Sequence, residues 1–446
     1  MRSSVDKKFK TDVRTNKSGN LFLKLFKSIQ LKNTLLSALL LLLLYSCGMF
    51  TGHKKPAAED SLDYYPPTPG LADKNEFRSY YRAIATIMDS ALANRIFNGA
   101  ILVAKNGNII YEKYTGFKDL KTEPVDSSTS FHIASTSKTF TGMAILRLVQ
   151  QGKLKLDDSL QRYFPGFPYP SVTVQMLLCH RSGIPNYIYF ISNSNWPGKK
   201  MVFNEDVLNF LLKEQPKPDF KAGTRFSYSN TNYVLLAMLA EKITGQPFPL
   251  YMQQQFFIPL QMKNSFVFTW SDSAKVIYSY SASGNRWEYD NLEGTYGDKN
   301  IFSTPRDLLK WDQALYTDQI IRKTLLDSAF TPYSFERPSI HNYGLGWRMM
   351  IFPTGKKIIY HNGRWHGFNS AFARLTDEKA VIIVLGNRQS WLPYQAAVKS
   401  YNVFGSYFPQ ENMEAEENGQ DSLLKAPDKP VTPKLKRPPP GKKRKR

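Results

Sequence analysis

Cysteine and histidine are scarce in this chain, with two Cys and six His among 446 residues. Cys47 closes an apolar run and Cys179 lies deep in the chain, so a disulfide framework is excluded, and Cys179 reads as a small buried apolar side chain. Cys179-His180 has no second ligand pair at metal spacing, and no His-Glu-x-x-His helix occurs, so neither a metal nor a cofactor is expected. Acidic residues are also in the minority, 37 against 59 Lys and Arg, which gives a formal charge of +22. That excess sits at the ends. Residues 1–47 hold nine Lys/Arg against two Asp, residues 428–446 hold nine against one, and residues 48–427 carry only +7. No stretch interleaves basic with aromatic residues as a nucleic-acid groove requires, so nucleic acid is set aside as a partner. No internal repeat is present. What is there in quantity is apolar, 42% of residues with 14% aromatic, enough to build a full core.

The one long apolar run is N-terminal. Lys24, Lys27 and Lys32 lead into Leu35-Leu36-Ser37-Ala38, the leucine run Leu39 to Leu44, and Tyr45-Ser46-Cys47-Gly48. Residues 1–47 therefore read as a signal peptide. A Cys directly after a small residue resembles the lipobox of bacterial lipoproteins, which makes Cys47 the expected lipidation site, although Tyr45 departs from the usual small residue. The alternative is an uncleaved membrane anchor, because Asn33 to Gly52 carries no charge. Both place the body outside the cytoplasm, at the bacterial cell envelope, with the membrane as a partner through the N-terminal anchor.

Residues 48–75 read as a polar, proline-bearing tether. A helix is predicted over Asn75 to Phe97, where Phe77, Tyr80, Tyr81, Ile84, Ile87, Met88 and Leu92 recur at three- and four-residue intervals. Two strands follow, Ala100–Ala104 and Ile109–Tyr111, joined by Asn106-Gly107. The region of about 146–290 reads as helices and loops. Strands return at Arg348–Phe352, Lys357–His361, Ser370–Leu375 and Ala380–Leu385, with a last helix at Pro393–Phe404. Strands at both ends with helices between them predict an α/β fold over residues 76–405, an antiparallel sheet flanked by helices with a mainly helical domain inserted. Residues 406–446, acidic and then Pro/Lys-rich, read as a disordered tail whose basic end is a solvated charge run.

Three short patterns carry chemistry. Ser135 and Lys138 stand three apart at a helix start, which puts both on one face. A desolvated lysine is neutral enough to take the serine proton, and a first-turn serine has backbone N–H groups available to an oxyanion. Ser4/Lys7 and Ser422/Lys425 repeat the spacing by chance, in segments with no fold to support catalysis. Tyr228-Ser229-Asn230 follows 93 residues later, a phenol that shuttles a proton when it lies near a lysine. Tyr289-Asp290-Asn291 also fits Tyr-x-Asn, so this pattern too is weak alone. His361-Asn362-Gly363 closes a strand, where a hydrogen-bonding side chain and a glycine let a substrate lie along the strand edge.

In this order, Ser-x-x-Lys, Tyr-x-Asn, His-x-Gly resembles the beta-lactamase-related serine hydrolases, which include class C beta-lactamases, DD-peptidases and certain esterases. Leu177-Leu178-Cys179-His180-Arg181-Ser182-Gly183-Ile184-Pro185, Ser303-Thr304-Pro305-Arg306-Asp307-Leu308, Tyr343-Gly344-Leu345-Gly346-Trp347 and His366-Gly367-Phe368 fit the same family. The resemblance implies an acyl-enzyme on Ser135, base and acid roles shared by Lys138 and Tyr228, and substrate binding by Asn230, His361 and Gly363. It also implies an oxyanion hole from the N–H groups of Ser135 and Arg364, with the Arg364 side chain as a candidate ligand for a substrate carboxylate. His361 stands where class C beta-lactamases carry Lys, which favours a peptidase or esterase over antibiotic hydrolysis. His132, His180 and His366 read as structural. The expected partner is a small-molecule or peptide substrate, a cell-wall stem peptide among the candidates. A non-catalytic envelope binding protein is the competing class. The loop Asn186 to Lys200 carries Tyr187, Tyr189 and Trp196 as cleft walls or as packing.

Overall fold

The structure, a computed structural model, describes residues 74–408 apart from 93–96, 194–195 and 197–199. The signal peptide with Cys47, the tether up to residue 73 and the tail beyond Phe408 lie outside the described residues. The first helix, α1 (Lys74–Leu92), precedes the strands β1 (Gly99–Lys105) and β2 (Asn108–Thr115). Asn106 and Gly107 join these strands with φ of 51° and 76°, the mirror-image turn that matches strand twist and that Asn-Gly tolerates. β3 (Phe131–His132) leads into α2 (Ser137–Gln150), and then come α3 (Val174–Leu178), α4 (Tyr187–Asn193), α5 (Asn204–Glu214), α6 (Asn230–Thr244) and α7 (Phe248–Met252). β4 (Phe266–Val267), β5 (Ile301–Ser303), α8 (Pro305–Ala314) and α9 (Lys323–Ala329) lead back to the sheet through β6 (His341–Tyr343), β7 (Arg348–Ile351), β8 (Lys357–Trp365), β9 (Phe368–Leu375) and β10 (Ala380–Gly386). The last helix is α10 (Leu392–Phe404).

Seven strands form an antiparallel sheet in the order β2-β1-β10-β9-β8-β7-β6, so the first and last strands of the described region meet where β1 pairs with β10. Both of these central strands are buried on both faces, which is why they read as unbroken apolar runs rather than alternating ones. One face takes α1 and α10: Ile84, Met88, Tyr401 and Phe404 pack with Ile101, Val103, Ile382 and Val384. The other takes α2 and α8, where Phe140 stacks on Trp311 at 4.1 Å and both join Leu102, Ile383 and Leu385. Arg374 of β9 and Asp312 of α8, both buried, pair at 2.6 Å and tie the sheet to this helix layer. Tyr407 and Phe408 pack on Phe352, so the ordered body continues past the expected boundary at 405. Cys179 is buried, and burial pushes its thiol up to about 12, as an inert apolar residue requires. No helix among the described residues is long and apolar enough to cross a membrane.

Two departures from the sequence reading bear on the site. β8 runs to Trp365 rather than stopping at His361, so Gly363 and Arg364 belong to the strand. A second sheet, β3-β5-β4, is made of strands of two or three residues, too short for any periodicity to show.

Candidate active site

Ser135 sits in a 3-10 turn (Ala134–Thr136) between β3 and α2, partly open to solvent between fully buried neighbours. Lys138 lies one turn on, fully buried, with Nζ 3.2 Å from Ser135 Oγ, 2.8 Å from Asn230 Oδ1 and 2.7 Å from the carbonyl of Asp298. Two close backbone approaches fix that lysine in place. A side chain at Gly142 of α2 would meet Leu345 O at 2.9 Å, and one at Gly346 would meet Lys138 O at 3.0 Å. Burial depresses Lys138 to about 7, with the Arg348 cation adding to the fall and the Asp298 carboxylate opposing it. The amine donates to all three oxygens, those of Ser135, Asn230 and Asp298, and with its pKa lowered so far it loses a proton readily enough to take one from the serine hydroxyl.

Tyr228 precedes α6 and brings its ring 4.9 Å from Lys138 Nζ. The His180 ring lies 4.2 Å from the same phenol, and His180 Nδ1 accepts the Ser229 N–H at 3.2 Å. His180 thus packs behind the Tyr-x-Asn segment. Arg348 of β7 completes the enclosure: its guanidinium is fully buried, 5.2 Å from the Tyr228 ring and 5.9 Å from that of Tyr343. The Tyr228 ring therefore lies 4.9 Å from the Lys138 amine and 5.2 Å from the Arg348 guanidinium. Sequence reasoning missed Arg348, and the available signal was a charged residue opening the apolar strand Arg348-Met349-Met350-Ile351. Asp298 was missed as well, in the buried polar stretch Asp298-Lys299-Asn300 ahead of β5.

The other expected site residues, Asn230, His361, Gly363 and Arg364, make contacts within the protein that their spacing in the sequence does not show. Asn230, expected to bind substrate, opens α6 and spends its amide oxygen on Lys138. The His361 imidazole, expected at the substrate, is fully buried. Its Nδ1 bonds the Asn362 carbonyl at 2.8 Å and its Nε2 meets Tyr343 Oη at 3.2 Å. Burial and then the Arg348 and Lys138 cations hold its pKa well below the usual value, so it is neutral. Gly363 lets β8 lie against the serine turn: a Cβ there would lie 2.3 Å from Ile133 O and 2.9 Å from Ser135 N. Arg364, next along the strand, points to the opposite face, where its guanidinium lies 5.6 Å from the Trp391 ring. The ladder between β7 and β8 ends at Tyr360, and just beyond it the His361 carbonyl accepts from Thr136 Oγ1 of the serine turn.

One group of described residues has metal-ligand character. Asp290, Glu293 and His366 bring ligand atoms within 4.8 Å of one another. His366 Nε2 is 2.9 Å from Glu293 Oε1, which Trp365 Nε1 also reaches at 3.0 Å, so hydrogen bonding accounts for this arrangement.

The Beta-lactamase family profile matches residues 82–402. Penicillin-binding protein 4* of Bacillus subtilis (strain 168) is 31% identical over 332 residues, covering 71% of this chain and 73% of that protein. Protein flp of Staphylococcus aureus (strain MW2) is 28% identical over 321 residues, covering 69% of this chain and 63% of that protein. Among solved structures, the penicillin binding protein from Bacillus halodurans superposes with a TM-score of 0.63 at 25% identity, over 72% of this chain and 99% of that one. The family match takes in both ends of the seven-stranded sheet and all the helices between them, and on that ground the chain belongs to the Beta-lactamase family.

Proposed function

We propose that this chain is a serine hydrolase that cleaves an ester, amide or peptide bond through an acyl-enzyme on Ser135, in the manner of a DD-peptidase or esterase. The observation that carries this reading is the buried Lys138 amine, depressed to about 7 and 3.2 Å from Ser135 Oγ. Lys138 takes the hydroxyl proton as Oγ attacks the substrate carbonyl, and the oxyanion falls to the main-chain N–H groups of Ser135 and Arg364. The proton passes by way of Tyr228 to the leaving group as its bond to the carbonyl breaks. Water, deprotonated by the same pair, then attacks the ester carbonyl and regenerates Ser135. The name of the Bacillus subtilis relative says that it binds penicillin, a cyclic amide and hence an acyl donor, which agrees with this chemistry. Location at the bacterial envelope through a lipid on Cys47 is part of the same proposal and rests on the N-terminal sequence.

A panel of a p-nitrophenyl ester, a stem-peptide mimic ending in D-Ala-D-Ala and a chromogenic cephalosporin tests the reading. Turnover of the ester or the peptide by the wild type, none by Ser135→Ala, and the cephalosporin as the poorest substrate are expected. No turnover of any compound favours a binding protein that keeps the fold, and undiminished turnover by Ser135→Ala would remove the acyl-serine altogether.

A further inference from the structure

The turn that presents Ser135 is held in a conformation its own residues do not favour. Ala134, directly before the serine, has φ of 48°, a left-handed backbone that an L-residue adopts only when its surroundings enforce it. The peptide groups leading into it are each fastened. Ile133 N–H donates to Ile301 O at 2.9 Å, and Ile133 C=O accepts from Ser370 Oγ at 2.6 Å and from Thr136 N–H at 3.1 Å. The Ala134 N–H donates to Nδ1 of His132 at 3.0 Å.

His132 is no ordinary core histidine. Because Nδ1 accepts, the ring proton of the neutral form sits on Nε2, which meets Asn300 Oδ1 at 2.7 Å. Asn300 is itself aimed, its amide donating to the carbonyls of Glu293 and Thr295 at 2.7 and 2.8 Å. The ring is 2% exposed, edge-on to Phe302 and stacked on Phe368, and its Nδ1 reaches the serine turn at the Ala134 N–H. The segment that aims it also carries Asp298, whose carbonyl accepts from Lys138. One stretch, Glu293 to Asn300, thus touches both the Lys138 amine and the His132 ring.

We propose that His132 is a positioning residue of the hydrolytic reaction: its Nδ1, aimed by Asn300, clamps the Ala134 amide and so keeps the Ser135 hydroxyl turned to Lys138. This rests on Ser135 being the nucleophile. Burial lowers His132 to about 4, a fall that Asn300 and Glu293 oppose and that Lys299 and His366 assist, so the accepting form persists through the neutral range.

The test is the rate at which a fluorophosphonate labels the full-length protein, resolved into the maximal rate and the concentration giving half of it. In His132→Asn the amide oxygen falls near the place of Nδ1, whereas in His132→Gln the amide falls near Nε2 and leaves the Ala134 N–H without its acceptor. The Asn variant is expected within about threefold of the wild-type maximal rate and the Gln variant about tenfold or more below it, at an unchanged half-saturating concentration. Glycine adopts positive φ freely, so adding Ala134→Gly to His132→Gln is expected to recover part of the loss. Two variants of equal polarity make the comparison independent of general stability, which thermal unfolding reports separately. Equal maximal rates for the Asn and Gln variants, or no recovery with Ala134→Gly, would overturn the role of His132 alone. A wild type that is not labelled, or a Ser135→Ala variant labelled as fast, would overturn the nucleophile and the clamp together.

Discussion

Lys138 is met by charged or titratable groups from every side: Asp298 from the loop before β5, Arg348 from β7, His361 from β8, Tyr228 and Tyr233 at the start of α6, and His180 behind the phenol. Its amine serves as a base only when neutral, so activity should rise as pH rises through about 7. Arg348 pushes the ammonium toward losing its proton and Asp298 resists, so their removal acts in opposite directions. Arg348→Met should carry the acid limb of kcat/KM to higher pH, and Asp298→Asn should carry it to lower pH. Limbs that move together, or do not move, would mean that neither charge sets the base. Ser135 and Lys138 were legible in the sequence because a three-residue spacing on a helix start is a local geometric fact, whereas Tyr228 was singled out by the order of the motifs in the family resemblance. Arg348 was not, because buried arginines are rare and nothing in its flanks announces the phenol it will meet across the fold. The internal partners of Asn230 and His361, Lys138 and Tyr343, were not legible, because contacts between separate elements leave no trace in local spacing.

At the scale of elements, the site depends on β8 lying against the turn that carries Ser135. A Cβ on Gly363 would meet two backbone atoms of that turn, neither of which can rotate away as a side chain would. Gly363→Ala should therefore separate strand and turn and lower kcat/KM by about a hundredfold, since misplacement on the ångström scale costs that much at a reacting centre. Near-normal kcat/KM in that variant would show that the turn yields without consequence. The β1–β2 hairpin was readable from Asn106-Gly107 because positive φ at two adjacent positions is a demand few residue pairs meet. The length of β8 was not, because His361-Asn362-Gly363 looks polar enough to end a strand while its pairing with β9 continues to Trp365. The sheet β3-β5-β4 escaped for a different reason, its strands being too brief to alternate.

For the whole molecule, the fold class was readable because apolar strands at both ends of the chain must share a sheet, and β1 indeed pairs with β10 along seven residues each. The formal charge of +22 gave no comparable guide, being concentrated in terminal segments outside the described residues. Attachment to the envelope is a property of the full chain and is testable apart from catalysis. Expressed with a labelled fatty acid in a bacterial host, the protein should incorporate lipid and sediment with membranes, whereas Cys47→Ser should carry none and keep its turnover. Membrane association without lipid in both would favour an uncleaved apolar anchor. All of the proposed chemistry depends on Ser135 being the one hydroxyl that becomes acylated, and the direct measurement is mass spectrometry of the intact protein and its peptides after reaction with a fluorophosphonate. A single adduct on the peptide containing Ser135, lost in Ser135→Ala and slowed in Lys138→Ala, is the predicted result; an unmodified protein, or an adduct on another residue, would contradict it.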